Sequence, residues 1–220
     1  MMSSDVQALT SAGAATCWAV IVIVWVAGAV YNAVRGPKEA RRQPGSAVSV
    51  GAVLMSAIVA AAVLRAVPAS SWRALTVESP WVQVLGLAVL IGSTAFALWA
   101  RAALGTMWSI APVVKDHHQL RTDGPYGVTR HPIYTGLLGM LLGTVLVAGL
   151  GRSLVILPVA IVLFESKLRG EEKLLVASFP KDYPRYRRRV PQLVPGLRRL
   201  HRVDTTGDSH LRKAGGGEGI

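Results

Sequence analysis

Apolar residues gather into four long blocks and a shorter fifth between residues 16 and 164, and the densest polar motifs lie just outside them. The first block, Thr16–Val34, reads TCWAVIVIVWVAGAVYNAV; as a helix it is long enough to cross the roughly 30 Å of bilayer hydrocarbon. The second, Ala47–Val67, is nearly free of charge until Arg65. The third, Trp81–Leu104, carries Arg101 near its end, where a long cationic side chain is expected to snorkel toward the headgroups. The fourth, Ile133–Leu150, has Gly136, Gly139 and Gly143 at spacings that suit close helix–helix contact. The fifth, Ser153–Phe164, is short for a span and is expected to tilt, to continue through Glu165 or to form a hairpin with the fourth. The pattern predicts an all-α integral membrane protein with about five transmembrane helices and a C-terminal cytosolic amphipathic helical tail.

Charge adds an orientation. Of 220 residues, 51% are hydrophobic, and 24 Lys/Arg against 12 Asp/Glu give a net charge of +12; with a mean hydropathy of +0.41, this composition argues against a soluble basic domain and against nucleic acid as a partner. The basic residues flank apolar blocks, where anionic lipid headgroups and the positive-inside bias account for them. Arg35–Arg42 and the residues after Phe164 are basic, whereas Pro68–Pro80 carries Arg73 against Glu78. With five spans, this alternation puts the N-terminus outside and the C-terminus in the cytoplasm of a bacterial-type cytoplasmic membrane. Residues 1–15 are then a short extracytoplasmic N-terminus, 16–191 the membrane domain, and 192–220 a basic tail expected to be disordered.

Two polar clusters carry candidate chemistry. Gly124-Pro125-Tyr126 and Arg130-His131-Pro132 enclose a compact loop, and Pro132 suits the first turn of a helix. Either a ligand carboxylate sits at that helix start, assisted by Arg130 or His131, or the segment is an ordinary interfacial helix entry. Glu171-Glu172 stands in an otherwise basic stretch. Such a pair accepts hydrogen bonds from ribose hydroxyls or an amine and assists proton transfer; equally, it salt-bridges Lys167, Arg169 or Lys173 at helical spacing. Cys17 is the sole cysteine, which excludes an internal disulfide and a cysteine metal cluster, and reads as a small packing residue. His117-His118 lacks the further ligands that a zinc site needs, so no metal is expected.

The motifs in order resemble the isoprenylcysteine carboxyl methyltransferase family, within the wider set of membrane methyltransferases that includes phospholipid N-methyltransferases. The resemblance covers about Gly105–Pro191: His118-Gln119-Leu120, Gly124-Pro125-Tyr126, then Arg130-His131-Pro132-Ile133-Tyr134-Thr135-Gly136 matching RHPxYxG, Glu171-Glu172-Lys173-Leu174-Leu175 matching EExxL, Phe179–Tyr186 resembling FGxxYxxY, and Arg189-Val190-Pro191 resembling an RVP ending. Pro180 stands where the family often has glycine; both permit a sharp turn.

The resemblance implies a methyltransferase using S-adenosyl-L-methionine, with the cofactor entering from the cytosol and a lipophilic acceptor from the bilayer. It implies His118, Tyr126, His131, Tyr134, Glu171 and Glu172 as cofactor-binding residues, Arg130 and Glu172 as catalytic, and Arg130, Tyr183, Tyr186 and Arg189 on the acceptor side. The expected acceptor is an isoprenoid or lipid carboxylate; membrane lipids are expected partners, and no obligate protein partner is expected. A membrane reductase using NADPH and a non-enzymatic membrane scaffold are the competing readings. Protection by NADPH rather than S-adenosylhomocysteine would mark the first, and indifference of cofactor binding to His131 and Glu172 the second.

Overall fold

The computed structural model describes residues 2–35, 39–42, 47–77, 79–105, 113–115 and 120–196. The chain is helical: α1 (Met2–Arg35), α2 (Ala47–Ala66), α3 (Ala69–Ala74), α4 (Pro80–Leu104), α5 (Pro125–Val128), α6 (Pro132–Val147), α7 (Ile156–Ser178) and α8 (Asp182–Arg189). A single turn of 3₁₀ helix over Gly151–Val155 precedes α7. The helices are joined by one small element that periodicity did not predict, an antiparallel ribbon of β1 (Glu39–Arg42) and β2 (Val113–Lys115) that pairs Glu39 with Lys115 and Arg42 with Val113.

The expectation of about five transmembrane helices does not hold. Among the described residues, two helical stretches are long and apolar enough to cross a membrane, Ser4–Tyr31 in α1 and Pro80–Leu104 in α4. Those two support a membrane-associated protein. The apolar stretches Leu54–Ala66 and Pro132–Val147 are shorter. A helix of 16 residues such as α6 spans only about 24 Å, short of the hydrocarbon thickness. Its end is dictated by the backbone: Gly149, Leu150 and Gly151 have φ of 77°, 63° and 57°, a left-handed run that no α-helix continues through. The expected fifth block is not among the spanning stretches: Ser153–Val155 belongs to the 3₁₀ turn, and α7 continues through Glu165, one of the alternatives expected for it, into its charged half. At the other end of the chain, residues expected to precede the first span are instead the opening turns of α1. Nothing in SAGAATC stops a helix, since alanine is its best former and the stretch has no proline.

The core is a seam where α1, α4 and α6 meet. Ala14 and Ile21 of α1, Leu90 and Ala97 of α4, and Met140 and Val147 of α6 are buried there, with Cys17 packed against both clusters. Glycine permits the closest approach. A Cβ on Gly136 would stand 2.7 Å from Ala97 Cβ and 3.0 Å from its backbone, and one on Gly143 would stand 2.7 Å from the Gly86 carbonyl oxygen. A hydrogen bond from Trp18 Nε1 to Thr144 Oγ1 at 3.0 Å ties α1 to α6. Outward, Ile23 (65% exposed) on α1 and Leu85 (57% exposed) on α4 present apolar surface suited to hydrocarbon.

Candidate active site

The site forms where the start of α6, the charged half of α7, and α8 converge. Pro132 opens α6, as expected, so His131 lies at the turn just before the helix, with φ −127° and ψ 63°. The chain beyond α8 returns to this turn. Arg130 N–H donates to the Pro191 carbonyl at 2.8 Å and His131 N–H to that of Gln192 at 3.2 Å. Thr135 Oγ1 donates to the Leu193 carbonyl at 2.6 Å. Three consecutive carbonyls of the segment after α8 thus dock on the RHPxYxG segment.

Arg130 is buried beneath them. Its Nη2 and Nε donate to Glu172 Oε1 at 2.7 and 3.1 Å, and Nη1 donates to the carbonyls of Arg187 and Val190 at 3.0 and 3.2 Å. The guanidinium is therefore engaged within the chain, by the carboxylate of α7 and the last turn of α8. His131 Nε2 approaches Glu172 Oε1 at 3.4 Å, and its Nδ1 lies 3.7 Å from Glu171 Oε2. Tyr134 Oη donates to Glu171 Oε1 at 2.6 Å. One histidine ring thus bridges both glutamates, whose backbones are adjacent on α7. Arg187 Nε is 3.8 Å from Glu172 Oε2.

Burial pushes the Glu172 carboxyl upward, but His131 and the Arg130 guanidinium outweigh it and hold the group below the usual carboxylate range, at about 2. Glu172 is accordingly an ionised, fixed anion at neutral pH rather than a proton acceptor. The two cluster carboxylates differ in access: the Glu171 side chain is 22% exposed against 12% for Glu172.

The tyrosines of α8 are buried. Tyr186 Oη donates to the Tyr126 carbonyl at 2.6 Å, which ties α8 to α5. The Tyr183 hydroxyl is buried beside Glu172, and burial first, then the Glu172 carboxylate, push its pKa up. Burial also pushes the Tyr126 and Tyr186 hydroxyls up, keeping them neutral. Arg189 is exposed on α8. Around Tyr134 stand Phe164, ring centroid 5.2 Å away, and the Lys167 ammonium, 5.7 Å above the ring.

Of the residues expected from sequence, Arg130, His131, Tyr134, Glu171 and Glu172 come together in this one cluster, Tyr126, Tyr183 and Tyr186 border it, and His118 lies outside the described residues. Sequence reading missed Thr135, Arg187 and Phe164. Thr135 sits inside the matched motif and Arg187 inside the run of arginines, and neither position signals a tertiary contact. It also misplaced Arg101. That side chain does not snorkel: the residue is 9% exposed, its Nη1 donates to the Gly105 carbonyl at 3.0 Å, and a Cβ on Gly28 would stand 2.3 Å from its Nη2. The guanidinium lies against the bare backbone of α1.

Comparison with known proteins decides what this cluster belongs to. Residues 84–177, from α4 to the end of α7, match the model of the isoprenylcysteine carboxyl methyltransferase (ICMT) family. An ICMT-family methyltransferase domain is thus detected over that stretch, which is less than half of the chain. That domain contains Arg130, His131, Tyr134, Glu171 and Glu172, and stops short of α8. The chain is 39% identical over 84 residues to the protein-S-isoprenylcysteine O-methyltransferase of Schizosaccharomyces pombe, covering 37% of this chain and 34% of the relative. It is 29% identical over 118 residues to protein-S-isoprenylcysteine O-methyltransferase B of Arabidopsis thaliana, covering 52% and 60%. The cobalt-zinc-cadmium resistance protein CzcN of Cupriavidus metallidurans is 30% identical over 112 residues, covering 50% and 51%. The matches thus span from about a third to three fifths of these relatives.

A match to a methyltransferase family supports an enzymatic activity in general, and the methyl donor that this family implies is S-adenosylmethionine. The donor set suits that group. A sulfonium-bearing amino acid joined to a ribose calls for anions and hydrogen-bond acceptors, and an adenine calls for aromatic walls. Two adjacent glutamates and an aromatic pair at Tyr134 and Phe164 meet those requirements.

Proposed function

We propose that the chain is an S-adenosylmethionine-dependent methyltransferase acting on a lipophilic acceptor, an isoprenoid or lipid carboxylate, at the cytosolic membrane face. The supporting observation is the convergence of Arg130-His131 with Glu171-Glu172, with Arg130 and Glu172 42 residues apart in the chain, on one buried ion-pair cluster at one end of the helical seam. In this reading residues 16–191 are the functional unit, 192–220 a basic tail, and the C-terminus is cytoplasmic.

His118, Tyr126, His131, Tyr134, Glu171 and Glu172 hold the cofactor. Bound there, it supplies an electrophilic methyl group. Glu171 is the better exposed carboxylate and takes the cofactor's hydroxyl or amino donors; Tyr134 and His131 fix its direction. Glu172 contributes a permanent negative charge. Arg130 keeps it ionised and in place, so Arg130 acts as a positioning residue through Glu172. Tyr183, Tyr186 and Arg189 cover the acceptor side. A carboxylate acceptor is already anionic near neutral pH and needs no general base, so holding the reactants in line and excluding water supply the acceleration.

The test is methyl transfer from labelled S-adenosylmethionine by the purified protein to membrane extracts, with the labelled product identified by mass. A lipophilic methyl ester is the expected product. Labelling confined to water-soluble molecules, or no saturable S-adenosylmethionine binding across several detergents, overturns the reading.

A further inference from the structure

At the other end of the seam lies a hollow of about 540 Å³, lined by Trp72, Arg73, Thr76, Leu150, Arg152 and Ser153 among others. It is a built feature. Val77 N–H donates to the Gly149 carbonyl at 2.9 Å, Thr76 pairs with Leu150, and Thr76 Oγ1 donates to the Trp72 carbonyl at 3.0 Å. The left-handed turn that ends α6 forms one wall and α3 the other.

Its charge is unbalanced. Arg73 and Arg152 are both exposed, and among the described residues neither forms an ion pair and no acidic side chain lines the hollow. Alanine and leucine side chains and the Trp72 residue supply the apolar part. Its depth in the membrane follows from α4. The hollow adjoins the chain entering α4 at Pro80, while the candidate active site lies toward the other end, at the start of α6. The 25 residues of α4 rise about 37 Å, enough to carry the chain from one headgroup region to the other. Trp81, 83% exposed at the first turn of α4, marks the same level as a membrane–water interface, where tryptophan is enriched.

We propose that this hollow binds the headgroup of an anionic glycerophospholipid in the leaflet opposite the candidate active site. The phosphate diester takes the two guanidiniums, which match its oxygens in charge and geometry, and the glycerol end lies over the apolar part. A zwitterionic choline headgroup brings a cation to a place that already holds two, so the site selects anionic lipid.

The experiment uses the full chain in a neutral detergent. Thermal unfolding is followed while phosphatidylglycerol, phosphatidylcholine or inorganic phosphate is added, and lipid retention is counted by native mass spectrometry. Phosphatidylglycerol is expected to raise the melting temperature and be retained; phosphatidylcholine is expected to do so far less. Arg73→Gln/Arg152→Gln is expected to lower phosphatidylglycerol retention about tenfold or more, the loss of roughly 1.4 kcal/mol or more of contact. Ala69→Glu, on an exposed position of α3 lining the hollow, puts a carboxylate into it and is expected to do the same. Equal retention of phosphatidylglycerol by wild type and both variants overturns the proposal, because the lipid is then held elsewhere. An equal shift with inorganic phosphate also overturns it, because the site then takes a free anion rather than a lipid.

Discussion

Arg130 Nη2 stands 2.7 Å from Glu172 Oε1, and the two side chains are 6% and 12% exposed. This ion pair joins the entry to α6 with the middle of α7, and through the Arg187 and Val190 carbonyls it also anchors α8. Breaking one partner of a buried pair leaves the other charge uncompensated. Glu172→Ala and Arg130→Ala should therefore each destabilise the protein by about 3–5 kcal/mol. In a double-mutant cycle by thermal unfolding, the double variant should cost clearly less than the sum of the singles. Strict additivity would show that the pair is not coupled.

The same carboxylate predicts an acid transition. Its folded pKa, about 2, lies below its ordinary 4.5. A depressed carboxyl pKa contributes stability that is complete above the unfolded value and is lost as pH falls through the folded one. Docking of α8 should thus be constant near neutrality and weaken progressively between about pH 4.5 and 2. Amide hydrogen exchange in Asp182–Arg189 reads this directly, and Glu172→Gln should abolish the dependence.

Tyr186 gives a separate handle on α8. Removing its hydroxyl leaves the Tyr126 carbonyl without that donor, in a buried setting. Tyr186→Phe should cost about 1–3 kcal/mol, measured by denaturation, whereas Arg189→Gln, on an exposed position, should leave stability unchanged and reduce only use of the lipophilic acceptor. Loss of folding in Arg189→Gln would reassign that residue to the scaffold.

The helical seam predicts opposite outcomes for two glycine substitutions. Gly136→Ala drives a methyl group into the Ala97 backbone and should destabilise by about 1–3 kcal/mol. Gly92→Ala meets no atom within 4 Å and should stabilise α4 by up to about 1 kcal/mol. Melting temperatures of the two variants in one detergent decide it; equal shifts would mean that α4 and α6 do not touch at Gly136.

His131 illustrates how burial changes an expectation. Read along the chain it is an interfacial residue with little to bury; in the fold it is 6% exposed and lies between two carboxylates. His131→Ala should consequently lower stability as well as S-adenosylmethionine affinity. Calorimetric titration of the folded fraction separates the two effects, and unchanged affinity would remove His131 from the proposed pocket.

The sequence by itself determined the helical character, the start of α6 at Pro132, the turn at Phe179-Pro180 and the grouping of the motif residues, because proline geometry, apolar runs and ordered short motifs are local properties of the chain. Only the tertiary structure decided how many helices have spanning length, that Arg101 turns inward against Gly28, and that Arg130 is engaged by Glu172 and two carbonyls. Hydropathy averages composition over a window and is blind to where the backbone reverses, so the left-handed run Gly149–Gly151 cut the fourth block short unseen. A guanidinium's partners come from residues far along the chain, and their distances exist only once α6, α7 and α8 have packed.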